Sequence, residues 1–216
     1  MKKLVSIDFA ASLIKNDSSL MVGGFLKCGS PTEVIEKLLE NGTMNLTLIA
    51  NDTSFPDKEK GKLIVEKRIK KAIVSHIGTN PETGKQMNSG EMIVELTPQG
   101  TLAERIRAAG AGLGGFLTPT GIGTIVQEGK EIINVDGKNF LLEKPLKADV
   151  ALIYGTKVDS LGNVSFLGST RNFNSIMATA ADTVIVEADE IIDGYLDPNE
   201  IVIPGIFIDY VVKGGK

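Results

Sequence analysis

NLTLIANDTSFPDKEKGKLIVEKRIKKAIVSHIGT, residues 45–79, carries two different periods in one stretch. NLTLIA (45–50) and AIVSHI (72–77) are short apolar runs, rich in β-branched residues and bounded by turn formers. That pattern marks buried strands. Between them, GKLIVEKRIKK (61–71) spaces its apolar side chains as one face of an amphipathic helix. Strand, helix and strand at this distance form a crossover unit of a parallel sheet.

The same alternation continues in both directions. SLMVGG (19–24) and MIVEL (92–96) read as further strands, and VSIDFAASLI (5–14), SPTEVIEKLLE (30–40) and TPQGTLAERIRAAG (97–110) as helices. Ser30, Pro31 and Glu33 have the spacing of a capping box, and Gly42 stands where that helix must close. Thr97 and Pro98 open the helix that Gly110 ends. From Gly123 the texture changes. Asp136-Gly137 between two apolar runs is a strong hairpin signal, which places an antiparallel excursion near residues 126–145. ADVALIYG (148–155) and DTVIVEA (182–188) return as buried strands, with SIMATAA (175–181) as a short helix between them. Proline inside IVIPGIFIDYVV (201–212) suits an edge or an interface better than a central strand. Nothing in the composition resembles a linker. The expectation is one α/β domain spanning 1–216, a mostly parallel sheet covered by helices.

Composition narrows the function. A formal charge of −4 gives no electrostatic basis for holding nucleic acid. The one basic run, EKRIKK (66–71), reads as a solvated helix end. Cys28 is the only cysteine, so neither an internal disulfide nor a cysteine-based zinc site is expected. Asp8 interrupts the apolar stretch near the N-terminus, and no later run is long and uncharged enough to span a bilayer. A cytoplasmic protein without a membrane segment is expected.

GGFL occurs twice, at residues 23–26 and 114–117. In the first copy Gly23 and Gly24 follow the strand and precede a helix. Two readings are open: the glycines let the chain turn tightly, or they expose backbone N–H groups to an anion. This first copy is neither GxGxxG nor GxxxxGK[ST]. The second copy lies in GAGLGGFLTPTGIGT (110–124), too glycine-dense for a regular helix or strand. Leu113, Phe116, Leu117 and Ile122 nevertheless anchor it as an ordered loop.

Several motifs now stand in sequence: NDSSLMVGGFLKCGSP (16–31), IANDT (49–53), ELTPQGTLAERIRAAGAG (95–112), TPTGIGT (118–124), GNVSF (162–166), TRNFNSIMATAADTVIVEADEI (170–191) and PGIFIDYV (204–211). In this order, over essentially the whole chain, they resemble the alpha subunit of family I coenzyme A transferases, the acetate, butyrate and acetoacetate type. Asp17 departs from the pattern, standing where similar proteins carry glycine or asparagine.

The resemblance implies transfer of coenzyme A between short-chain carboxylates through a glutamyl-CoA thioester. Coenzyme A is then a substrate, with no permanently bound cofactor and no metal. It also implies that the nucleophilic glutamate, in a Ser-Glu-Asn-Gly motif, belongs to a beta subunit. Glu40-Asn41-Gly42 is the nearest string here, but Leu39 replaces the serine and the string falls at a helix end. No catalytic residue is therefore expected in this chain, and the expected partner is a beta subunit, in an alpha2beta2 assembly. The 201–212 tail and the glycine-rich loop are the candidate contact surfaces. Similarity further implies that Gly23, Gly24 and Phe25 border the cleft and that Gln99 contacts the carboxylate substrate. Asn51 would lie at the sheet edge, and Phe116, Thr118 and Gly121 would shape the acyl pocket or meet the beta chain.

Three other residues read as structural: His76 as a core histidine at a strand end, Cys28 as a structural thiol within the first turn, and Arg171 as an ion-pair partner or an anion contact. Glu187, Asp189 and Glu190 read as a strand-end turn. Two rival classes fit the sequence less well than the transferase. A sugar-phosphate isomerase needs a Ser/Thr/Lys phosphate cluster that the sequence lacks, and a non-catalytic acyl-CoA or sugar-phosphate sensor needs a DNA-binding module that it has no length for.

Overall fold

The computed structural model describes residues 3–215. Four parallel strands come first: β1 (Ser19–Val22), β2 (Leu46–Asp52), β3 (Ile69–His76) and β4 (Ile93–Leu96). The helices that join them are α2 (Glu33–Glu40), α3 (Glu59–Val65) and α4 (Pro81–Ser89), while α1 (Ile7–Ser12) precedes β1. After α5 (Gln99–Gly110) the chain makes a separate antiparallel sheet, β5 (Phe116–Thr118), β6 (Ile132–Val135) and β7 (Lys138–Glu143), ordered β5-β7-β6. It then returns to the main sheet with β8 (Ala148–Val158), which pairs parallel to β1. A two-residue strand, β9 (Val164–Ser165), folds back antiparallel on β8. Then come α6 (Asn174–Met177), β10 (Ala181–Ile191) and β11 (Tyr210–Lys213). The main path runs β11-β10-β8-β1-β2-β3-β4.

Burial on both faces explains the continuous apolar strands. Leu20, Val22, Leu48, Ala50, Ala72 and Val74 face α1, α2 and α3, where they meet Ala10, Val34, Ile35, Leu38, Leu63 and Ile64. The alternate residues Met21, Ile49, Ile73, Ala151 and Ile153 pack with Leu102 and Ile106 of α5 and Met177 of α6. Each such fully buried aliphatic side chain contributes about 1.5–3 kcal/mol.

The parallel sheet, its covering helices and the Asp136-Gly137 hairpin take the places expected of them, and β11 forms an edge. Local details differ. The periodicity of residues 61–71 overruns α3, which ends at Val65; Lys67 takes φ +53°, and Ile69 already pairs with Leu46. EKRIKK is therefore a helix cap, a turn and a strand start. No capping box forms at α2, which begins at Glu33 rather than after Ser30. The second GGFL copy includes a three-residue strand, because Phe116–Thr118 pair with Leu141–Glu143 despite the flanking glycines. Helix α4 carries no apolar stripe to betray it; its buried residues are Thr83 and Gln86, and it rests on the Asn80 cap and Gly90 at φ +76°. Gly42, at φ +69°, does close α2, so Glu40-Asn41-Gly42 is a helix end. Asp17 adopts φ +66°, the left-handed conformation that glycine and asparagine favour.

Candidate active site

Strand order reverses at β1, so the carboxyl ends of the central strands open onto a crevice, the usual place for a ligand in an open α/β sheet. A cleft of about 390 Å³ lies there, lined by Phe25, Leu26, Asn51, Asp52, Ser75, His76, Thr79 and Gln99. It lies within the ordinary range for small-molecule sites, about 300–1,000 Å³.

The first wall is the turn after β1. A Cβ on Gly23 would stand 1.8 Å from Asn174 Oδ1, and one on Gly24 would stand 2.9 Å from Ser30 Cβ. Gly24 also has φ +105°. Close approach and conformation therefore both require glycine. The N–H groups of this turn are used within the chain. Gly23 N–H donates to Leu152 O at 3.0 Å and Gly24 N–H to Asn172 Oδ1 at 3.1 Å. Asn172 and Asn174 hold the turn from below: Asn172 Nδ2 donates to Cys28 O and Asn174 Nδ2 to Gly29 O. Phe25 and Cys28 exchange two backbone bonds, leaving the Phe25 side chain 46% exposed at the cleft. Leu26 follows in the left-handed region at φ +50° and donates its N–H to Asp52 Oδ2 at 2.8 Å.

The floor is polar and buried. Asn51 and Asp52 end β2 with almost no exposure. Asn51 Nδ2 donates to Asp52 Oδ2 at 2.7 Å, and Asn51 Oδ1 accepts from Gln99 Nε2 at 2.6 Å and from Ser75 Oγ at 3.1 Å. Gln99 stands in the first turn of α5, whose N-cap Pro98 supplies no side-chain cap. Beneath the floor, the fully buried Lys60 places Nζ 3.5 Å from Asp52 Oδ1. Burial pushes the Asp52 carboxyl up, but Lys60 and the donors of Leu26, Asn51 and Ser54 outweigh it and hold the group below its ordinary value. Burial pushes the Lys60 ammonium down, against the attraction of Asp52 and Glu59.

The structure thus brings Phe25, Asn51 and Gln99 into one cleft, with Gly23 and Gly24 forming the turn beside it. Phe116 and Thr118 line a separate hollow of about 270 Å³ between β5 and α5, with Gly100, Thr101, Ala103, Glu104 and Thr120. Gly121 is in neither; its φ is +97°, and an added Cβ would meet Val126 at 2.7 Å. His76 is exposed at the end of β3 and faces the cleft, so it is no core histidine. Arg171 is exposed and in no ion pair among the described residues. Cys28 is partly exposed, with Sγ 3.3 Å from Ser169 Oγ. Of the cleft residues, Asp52, Ser75 and Thr79 had only one signal in sequence, the polar residues that follow each apolar run. Lys60 had none.

Glu187, Asp189 and Glu190 lie inside β10 rather than in a turn. The Glu187 carboxylate accepts the N–H groups of Thr32, Glu33 and Val34 at 2.8, 3.1 and 3.0 Å, and so replaces the expected Ser30 cap. Burial pushes the Glu187 pKa up against those three bonds. Asp189 accepts the Tyr154 hydroxyl, whose pKa burial and this carboxylate push up to about 12.

Among the described residues Asp52 is the only carboxylate lining the cleft, and both of its oxygens are engaged. Fold and cleft together describe an open α/β unit whose crevice presents side-chain amides and a carboxylate engaged on both oxygens. Among the described residues no group of three His, Cys, Asp or Glu side chains is placed to hold a metal, and no helix is long and apolar enough to cross a membrane.

Residues 4–214 match the coenzyme A transferase family. The acetate CoA-transferase subunit alpha of Escherichia coli K12 is 54% identical over 211 residues, covering 97% of this chain and 96% of the relative. The acetoacetyl-CoA:acetate/butyrate CoA transferase alpha subunit of Clostridium acetobutylicum is 49% identical, covering 98% and 97%. A solved acyl-CoA transferase from Escherichia coli O157:H7, in thioester complex with coenzyme A, superposes with a TM-score of 0.84 at 25% identity. It takes in 98% of this chain, which spans only 47% of that one. The chain belongs to the coenzyme A transferase family and is an alpha subunit of such an enzyme.

Proposed function

We propose that this subunit serves an acyl-CoA:carboxylate CoA-transferase that moves coenzyme A between short-chain acids such as acetate, butyrate and acetoacetate. It works as one unit with a beta subunit, in an alpha2beta2 assembly in the cytoplasm. The carrying observation is the engagement of Asp52 on both oxygens, which leaves the cleft without a free carboxylate to act as nucleophile.

The nucleophile is then a glutamate of the beta subunit. Its carboxylate attacks the acyl-CoA carbonyl, coenzyme A leaves as thiolate, and an acyl-glutamyl anhydride forms. The thiolate attacks the glutamyl carbonyl, the acyl group departs as carboxylate, and a glutamyl-CoA thioester remains. An incoming carboxylate reverses the sequence. This chain supplies recognition. Gln99 Nε2 gives one N–H to Asn51 and keeps a second for the carboxylate that enters and leaves. Phe25 excludes water from one side of the cleft, and water would hydrolyse both the anhydride and the thioester. Phe116 and Thr118 form a second surface, with the Gly121 turn outside that hollow, and this loop meets the acyl chain or the beta subunit.

The test is to express this chain alone and with a beta subunit, then assay acetoacetyl-CoA with acetate. Activity is expected from the pair only. Incubating the pair with acyl-CoA and no acceptor should leave the mass of coenzyme A on the beta subunit. Full turnover by this chain alone, or the adduct on this chain, defeats the proposal.

A further inference from the structure

Leu26 is held from both sides by one buried ion pair. Its N–H donates to Asp52 Oδ2 at 2.8 Å, and its carbonyl accepts from Lys60 Nζ at 3.1 Å. Lys60 Nζ and Asp52 Oδ1 are themselves 3.5 Å apart, and both side chains are essentially unexposed. The residue so held is a leucine at φ +50°, a backbone conformation that a branched side chain rarely adopts. Such a conformation persists only where its surroundings impose it.

A fully buried lysine is a poor choice for stability alone, since an apolar side chain of similar volume would fill the same space without desolvating a charge. Lys60 is also placed with care. The next residue is Gly61, where a Cβ would stand 1.9 Å from Phe55 O, so α3 closes onto the segment after β2 and carries the ammonium under the loop. From the clamp a continuous line of hydrogen bonds reaches the cleft surface, from Leu26 to Asp52, to Asn51 and to Gln99.

We propose that Asp52 and Lys60 are positioning residues that fix the Phe25–Leu26 wall against the Asn51–Gln99 amide pair and so set the width of the carboxylate subsite. The consequence for substrates rests on the function proposed above; the consequence for the loop does not.

The test uses the assembled enzyme. Asp52→Asn/Lys60→Met removes both charges together and keeps the volumes, and Ile64→Val serves as a core control in the same helix. In the double variant, amide exchange of residues 23–30 should quicken about tenfold or more, while residues 46–50 stay protected, because the loop loses both partners of Leu26 and the strand keeps its ladder bonds. The KM for acetate should rise roughly tenfold with kcat changed much less, the pattern of lost binding rather than lost transition-state contact. Ile64→Val should change neither. Asp52→Asn alone provides a milder second variant. A folded double variant with unchanged exchange at 23–30 overturns the clamp, as does a fall in kcat alone. If neither variant folds, the pair is a stability element and the proposal fails. If the wild-type enzyme does not transfer coenzyme A, the exchange result still decides the clamp.

Discussion

Gln99 Nε2 lies 2.6 Å from Asn51 Oδ1, so the first turn of α5 is tied to the end of β2 by a single side-chain bond. The Gln99 side chain is otherwise exposed. Removing it costs the fold one hydrogen bond at most, about 0.5–1.5 kcal/mol. Its effect on the substrate should be larger than its effect on stability. Gln99→Ala is expected to raise the KM for the carboxylate roughly tenfold, the loss of about 1.4 kcal/mol of binding. Gln99→Glu should be worse than Ala, because it sets a negative charge against an anion. Steady-state kinetics on the two-subunit enzyme decide the matter, and a Gln99→Ala enzyme with wild-type KM would remove Gln99 from the site.

The two GGFL copies should respond oppositely to alanine at their first glycine. At Gly23 the new methyl would collide with Asn174, whose Oδ1 accepts from Tyr154 N–H and whose Nδ2 holds Gly29 O. At Gly114 nothing lies within 4 Å. Gly23→Ala is expected to destabilise by about 2 kcal/mol or more, and Gly114→Ala by less than about 0.5 kcal/mol. Thermal melts of the two variants suffice, and equal losses would contradict the packing described at Gly23.

Glu187 is expected to be the largest single cap in the chain. Alanine there would leave three N–H groups of the first turn of α2 without acceptors, in a helix whose Val34, Ile35 and Leu38 are wholly buried. A loss of about 2–4 kcal/mol is expected from Glu187→Ala, with Glu187→Gln intermediate because one oxygen remains to accept. Urea denaturation measures both. A Glu187→Ala protein as stable as wild type would show that these bonds contribute nothing.

What could be seen in advance follows from the range of the interactions. The strands β1, β2, β3, β8 and β10 announce themselves because burial on both faces forces unbroken apolar runs. The Asp136-Gly137 hairpin does so because its turn needs particular residues. Helix α4 is silent in the sequence because its buried face is Thr83 and Gln86, which have no apolar period. The local motif at Ser30 points to a cap for α2 that does not form, whereas the true acceptor, Glu187, lies 155 residues away from Thr32. The site divides in the same way. Asn51 and Gln99 stand in recognisable motifs, but their meeting across the β2 end, and the Lys60 beneath them, are products of the tertiary fold. Phe116 and Thr118, grouped with them by motif alone, line a different hollow.

Asp159 gives the chain a defined sensitivity to acid. Its Oδ1 accepts the N–H groups of Leu161 and Asn163, both at 2.9 Å; its Oδ2 accepts Asn163 Nδ2 at 2.8 Å and Leu196 N–H at 3.1 Å. Burial pushes this carboxyl up, but the four donors outweigh it and hold the pKa below the ordinary 3.8. The sign follows: as pH falls, the unfolded chain takes up the proton first, so acid favours unfolding. The contribution of Asp159 is therefore complete above pH 3.8 and lost as pH falls through the lower value of the folded protein. Asp159→Asn should cost about 1–3 kcal/mol at neutral pH, since one oxygen becomes an amide nitrogen facing N–H donors. The gap between variant and wild type should then narrow below pH 3.8. Urea titrations at neutral pH and on either side of that value test it. A gap of constant size across the range would mean that Asp159 does not titrate with folding.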